Sequence, residues 1–334
     1  MEKASFGAAA PQVWPTIEDF RGDFEELAVL TERCWAQNKS QPLLYTAKVL
    51  ASYFSYPGAT FRLAPTVYED SRLVAFIAGF PRSVLYQGRK LRIVVVSFLT
   101  VASECRKRGY ALLLWDEVVR RARAAGFAGV MNYCVDGDTM GEIMLGTYQC
   151  IRVPAAKIFS IQYLIRLIPV AKHNITEPKA LDSDFINDFL RAASAVADGT
   201  PLCRLWNREE AEWQCLRRTD SIIVRHSLNE RQGFLTGSLI SIADRDRTKC
   251  LLVEDVLWNG LPIEERRSIV QKLVDRAAFE GARMVVVPVQ GYADLDPFLN
   301  SRFRRSTRVL HTYLGMWSTE LVPQPVSSFY VDVF

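Results

Sequence analysis

The sequence predicts an α/β fold built from two tandem copies of one domain, each a mixed, mostly antiparallel sheet flanked by helices. Three observations carry that expectation. The first half reads helix, helix, three strands, helix, strand. Within it, a basic loop turns directly into an amphipathic helix. The end of that helix and the strand after it recur 155 residues further on.

In chain order, TIEDFRGDFEELAVLTERCWAQ and QPLLYTAKVLASYF have helical spacing, and Pro57-Gly58 closes the second. PTVYED, LVAFIAGFPRSVLY and KLRIVVVSFLTV read as consecutive antiparallel strands. Short turns at Asp70-Ser71-Arg72 and Gln87-Gly88-Arg89 join them. The next helix repeats Leu114, Val118, Val119 and Ala122 on one face. Asp116 and Glu117 lie early in it and Arg120, Arg121 and Arg123 late, an order that suits the helix dipole, and Gly126 supplies a stop. GVMNYCV then reads as a parallel strand returning beside the previous one.

The repeat lays VRRARAAGFAGV over VDRAAFEGARMV, so that 119/274, 121/276, 122/277, 126/281 and 130/285 coincide. The same offset lays IVVVSFLTV over TKCLLVEDV. The second half also opens on two helices, SDFINDFLRAASAV and REEAEWQCLRR. The expected division is residues 1–168 and 169–334, joined near Ile168 to Asn174.

A chain of 334 residues suits two domains, and 49% hydrophobic with 23% charged residues describes a globular protein with real cores. A net charge of +4 suits an anionic ligand in a local pocket and gives no case for a nucleic-acid partner. Seven unpaired-looking cysteines and the absence of an apolar leader in MEKASFGAAAPQVWP point to a reducing, cytoplasmic setting. IVVVSFLTVA is too short to span a bilayer, so no membrane partner is expected. His173, His226 and His311 lack His or Cys at ligand spacing, which argues against a metal. No GxSxG elbow or GxxxxGK[ST] loop is present. Oligomeric state is not legible.

The basic loop is the most informative stretch. A loop entering a helix presents unpaired backbone N–H groups and the positive end of the dipole. Gly109 admits an anion close to the backbone, Ala111 is small in the first turn, and Arg106, Lys107 and Arg108 can meet peripheral phosphates. The competing reading is a solvated charge run.

Val101-Ala102-Ser103-Glu104-Cys105-Arg106-Lys107-Arg108-Gly109-Tyr110-Ala111 resembles the [QR]xxGx[GA] signature of the GNAT superfamily of acyl-CoA-dependent N-acyltransferases. The resemblance covers roughly residues 20 to 165 and recurs without the signature in the second half. It implies that Leu99, Thr100 and Val101 pair with the pantetheine arm, and that Arg106, Lys107, Arg108, Gly109, Tyr110 and Ala111 hold the pyrophosphate. It also implies acetyl-CoA as co-substrate and Tyr148 as general acid toward the departing thiolate, the bland alternative being a core aromatic. Arg152 and Gly141 depart from the family's usual Gly and Asn around that Tyr.

The family's strand glutamate is missing over Val94–Ser97. Asp136, Asp138, Glu254 and Asp255 are the substitutes considered for a general base. Phe334's carboxylate is another, because tandem-GNAT N-myristoyltransferases look similar in that respect. In the second copy Gly109, Ala111 and Tyr148 become Glu264, Arg266 and Phe303, so that copy is expected to bind no coenzyme A and to shape the acceptor pocket. The implied activity is direct transfer of acetyl from acetyl-CoA to a primary amine of a small molecule or peptide. Two rivals stand beside it. One is a non-catalytic acyl-CoA-binding or sensor protein; the other is an aminoacyl-tRNA-dependent peptidyltransferase-like enzyme, which the mild charge disfavours.

Overall fold

The computed structural model describes residues 15–332 other than 36–42, 138–139, 151–152, 170–182, 219, 229–230, 244–246, 259 and 319. The first half runs β1 (Ile17–Asp19), α1 (Phe24–Trp35), β2 (Leu43–Leu44), α2 (Ala47–Phe54), β3 (Pro65–Glu69), β4 (Arg72–Tyr86) and β5 (Arg89–Val101). It continues with α3 (Tyr110–Ala124), β6 (Gly129–Val135), α4 (Met140–Cys150) and β7 (Ala155–Leu167). The second half runs α5 (Ser183–Ala197), β8 (Leu202–Arg204), α6 (Arg208–Glu212), β9 (Ser221–Leu228), β10 (Arg231–Ile242) and β11 (Thr248–Leu257). It ends with α7 (Ile263–Phe279), β12 (Met284–Val289), α8 (Asp296–Asn300), β13 (Arg304–Met316) and β14 (Phe329–Tyr330).

Both early helices begin later than their apolar spacing suggests. Gly22 takes φ 86°, which turns the chain, and Asp23 then accepts from the Glu26 N–H at 2.9 Å, so α1 starts at Phe24. The residues before it form β1, an edge strand on β3. Thr46 caps α2 by accepting from Val49 N–H, and Leu43-Leu44 become a short strand against β10 of the other half. In the second half, α6 is a single turn held by an Asn207–Glu210 capping box and followed by a π-turn at Trp213–Arg217, not one continuous helix.

The strands join one sheet in the order β1-β3-β4-β5-β6-β13-β7-β12-β11-β10-β2. The two halves exchange their last long strands across its centre. β13, from the second half, pairs with β6, while β7, from the first, pairs with β12, and β7 and β13 pair with each other. β5 with β6 and β11 with β12 are the corresponding parallel pairs. A core formed this way is shared. The cluster around Leu50, Val94 and Leu114 also takes in Trp213, Ile240 and Met316 from the other half. Each large apolar side chain buried there contributes roughly 1.5–3 kcal/mol, so the exchanged strands are anchored by both halves.

Candidate active site

β5 lies parallel to β6 only from Ile93 to Val96, opposite Gly129 to Asn132. Beyond that point its register with β4 slips: Phe76 faces Thr100 and Ala78 faces Ser97, so Phe98 and Leu99 both oppose Ile77. Phe98 sits in the left-handed region at φ 59°. This is a β-bulge, which leaves one residue out of the ladder and bends the strand away from its neighbour. The two parallel strands therefore part where backbone amides are freed. Thr100 folds over the bulge, its hydroxyl donating to the Phe98 carbonyl at 3.0 Å. Leu99 and Val101 are half-buried along the opening.

From the splayed end the chain makes one tight turn at Ser103–Cys105 and enters α3. Lys107 has φ 67° and Gly109, the N-cap, has φ 83°. No side chain caps this helix and no acid lies in its first turn. The first intrahelical bond runs from Leu113 N–H to the Gly109 carbonyl. The amides of Gly109, Tyr110, Ala111 and Leu112 thus precede the ladder and have no intrahelical partner, an arrangement that suits an anion. In α7 the matching end has Pro262 as N-cap and supplies its own negative charge through Glu264 and Glu265. Its dipole is already answered.

The basic side chains divide. Arg106 and Lys107 are exposed, and among the described residues neither forms an ion pair; Arg106 lies beside the Cys34 thiol. Arg108, expected to meet a phosphate, instead pairs with Glu69 at 3.1 Å. Glu69 also accepts from the Tyr110 hydroxyl at 2.5 Å, which holds its carboxyl below the ordinary range together with Arg108. Arg108 and Tyr110 therefore brace the loop through their side chains. Any phosphate contact of Tyr110 is through its amide.

Behind the splay lies a patch of buried polar atoms without hydrogen-bond partners among the described residues: Trp115 Nε1, Asn132 Oδ1 and Tyr148 Oη. Trp115 and Tyr148 meet edge to face at 5.8 Å, and Asn132 donates to Cys134 and to Met144. A buried orphan polar atom costs about 1–3 kcal/mol. Tyr148 itself is fully buried, and burial pushes its phenol well above its usual value. The hydroxyl is sealed from solvent, unlike an open acid catalyst. Gly141 and Gly315 explain the local packing. A Cβ at Gly141 would lie 2.4 Å from the Tyr313 hydroxyl, and one at Gly315 would lie 2.8 Å from the Tyr148 ring. The missing family Asn is thus a concession to the exchanged strand β13.

The second half keeps a bulge at the equivalent place and fills it. Thr236 faces Asp255 and Gly237 faces Val253, leaving Glu254 without a ladder partner. Glu254 pairs with Arg218 at 2.7 Å and accepts from Gln214 and Ser238. Asp255 accepts from Thr236 and, at 2.6 Å, from Tyr330. Burial raises its carboxyl to about 6 despite those two donors. Arg218 also reaches Asp220 and the Tyr53 hydroxyl of the first half. Glu254 and Asp255, considered as bases, are consumed in this closed network. Asp136 is paired with His311, and Asp138, Arg152 and Phe334 lie outside the described residues.

Two buried arginines prove structural. Arg82 and Arg204 both clamp Asp332, which lies just past β14, and Arg204 stacks on Trp206 at 3.3 Å. Burial alone would raise the Asp332 carboxyl, but the two guanidinium groups hold it at about 2. The Asp332 carbonyl accepts from the Tyr133 hydroxyl, one residue beyond the last position at which β6 pairs with β5. An arginine within an otherwise apolar run, as in AGFPRSVLY and PLCRLW, was the available signal.

Comparison with known proteins bears on the same region. The pattern described as Myristoyl-CoA:protein N-myristoyltransferase, N-terminal domain, matches residues 14–132. A glycylpeptide N-tetradecanoyltransferase of Eremothecium gossypii is 27% identical over 113 residues, which span 32% of this chain and 25% of that protein. The structure of Saccharomyces cerevisiae N-myristoyltransferase with bound myristoyl-CoA and inhibitors superposes with a TM-score of 0.71 at 13% identity, over 95% of this chain and 86% of that one. Another structure of the yeast enzyme with myristoyl-CoA gives 0.68 at 12% identity, over 95% and 89%. None of the described helices is long and apolar enough to cross a membrane. This chain shares with those enzymes a large mixed sheet flanked by helices and, across the bulge and the basic loop, the sequence pattern of their N-terminal domain.

Proposed function

We propose that the chain is an acyl-CoA-dependent N-acyltransferase that moves a long acyl group, of the tetradecanoyl class, onto the N-terminal amine of a glycine-initiated peptide. The observation that carries this reading is the coincidence of the Phe98–Leu99 bulge with the uncapped N-terminus of α3, both inside residues 14–132. The acetyl donor expected from the sequence finds no support in the comparisons, whose matched family and relative are myristoyl-transferring. The division into residues 1–168, which hold the donor, and 169–334, which wall the acceptor pocket, belongs to the same proposal.

In this reading the amides of Gly109 to Leu112, with Arg106 and Lys107, hold the pyrophosphate. Leu99 to Val101 present backbone groups to the pantetheine arm. The amides freed at Phe98 and Leu99 donate to the thioester oxygen, stabilising the charge that develops as the amine attacks. Tyr148, protonated throughout the ordinary pH range, is the general acid toward the departing thiolate. Positioning amine and thioester together accounts for much of the acceleration, with no covalent enzyme intermediate. The sealed Tyr148 hydroxyl favours a second reading, acyl-CoA binding without turnover.

Turnover with acyl-CoAs of two to sixteen carbons against a glycine-initiated peptide, followed by mass spectrometry, separates the readings. Transfer that peaks near fourteen carbons is expected. Tight binding of the same thioesters with no acylated peptide would establish the second reading. Acetyl transfer alone would restore the original expectation.

A further inference from the structure

A second constellation lies across the exchanged strands, one strand over from the splayed end of β6, where His311 opposes Cys134. His311 on β13 places Nδ1 2.9 Å from the Ser160 hydroxyl on β7 and Nε2 3.0 Å from Asp136, just past β6. A carboxylate only accepts, so Nε2 carries the proton toward Asp136 and Nδ1 is left to accept from Ser160. Register puts the set on one face of the sheet. Ser160 opposes His311, and Gln162 opposes both Val309 and Val289. Together these residues line a cavity of about 250 Å³. Gln162 Oε1 accepts from Arg305 at 3.2 Å, which leaves its amide N–H₂ free to donate.

The arrangement is not a by-product of the internal repeat. Counted from the first residues of β7 and β13, Ser160 matches Val309 and Gln162 matches His311. The backbone is symmetric there and the chemistry is not. Ser160 is exposed and His311 half-buried, so hydroxyl and base are both reachable from the cavity. The second of the two described histidines, His226, contacts Glu265 and Lys272 and no hydroxyl.

We propose that Ser160, His311 and Asp136 form a nucleophilic triad that hydrolyses short activated acyl esters or thioesters. The Ser160 oxygen attacks the acyl carbon as its proton passes to His311 Nδ1. Gln162 donates to the carbonyl oxygen. The ester or thioester bond breaks, and the leaving alkoxide or thiolate takes the proton from His311. Water then attacks the acyl-serine, again losing its proton to His311. The carboxylic acid departs, and Ser160 regains its hydroxyl. Asp136 is a positioning residue that fixes the imidazole tautomer.

A fluorophosphonate probe with peptide mapping tests the nucleophile; p-nitrophenyl butyrate and butyryl-CoA test the two leaving groups. Modification at Ser160 is expected, with hydrolysis abolished in Ser160→Ala and reduced roughly a hundredfold in His311→Gln. Asp136→Asn, at an exposed site, keeps the fold testable and should slow hydrolysis at least about tenfold. A folded native chain left unmodified at Ser160 overturns the proposal. So does modification whose rate is unchanged in both His311→Gln and Asp136→Asn.

Discussion

At the scale of one residue, the proposed donor site rests on Gly109, the N-cap of α3. Its φ of 83° is strained for any L side chain, and a glutamate there would add a charge facing the uncapped amides of α3. Gly109→Glu should therefore weaken acyl-CoA binding at least about a hundredfold, read by calorimetry, while the melting temperature falls only modestly. Asp332 is the opposite case, a residue whose loss is structural. Asp332→Asn leaves Arg82 and Arg204 buried beside a neutral amide and should cost about 3–5 kcal/mol in denaturant unfolding. The sequence made Gly109 legible because its neighbours form a local pattern. Asp332 was illegible because its partners are 250 and 128 residues away.

The same contrast governs the elements. β3, β4, β5, α3 and β6 were all readable, since period, turns and charge order agree within each segment. The starts of α1 and α2 were not, because Asp23 and Thr46 cap later and tertiary pairing takes the residues before them. The bulge in β5 was also hidden: SFLTV reads as an uninterrupted strand, and only the register against β4 shows two residues opposite one. Removing the bulge should abolish function without unfolding the sheet. Deletion of Leu99 is expected to leave far-UV circular dichroism nearly unchanged, and transfer to a glycine-initiated peptide should fall roughly a hundredfold or more. Unchanged turnover would mean that the freed amides do not touch the thioester.

For the whole molecule, the repeat was legible but the strand exchange was not, because a repeat offset says nothing of which copy a strand joins. With β13 on β6 and β7 on β12, neither half completes its own sheet. Residues 1–168 expressed alone should be aggregated or largely unfolded, and the full chain should melt in one transition. Two fully buried carboxyls contribute to the pH dependence of that transition. Asp332, depressed to about 2, contributes stability that is complete above about pH 4 and is lost as pH falls through 2. Asp255, raised to about 6, favours the folded state most below about pH 4, and this contribution is lost as pH rises from 4 to 6. In the Asp255→Asn variant, the melting temperature should no longer decline over that upper window.

Titration of tetradecanoyl-CoA into the native chain and into Gly109→Glu tests the donor site most directly. The expected result is one equivalent bound to the native chain, with binding lost in the variant while the variant remains folded. Absence of binding to the native chain, or equal affinity in both, would contradict the assignment of the α3 N-terminus and the β5 bulge as an acyl-CoA site.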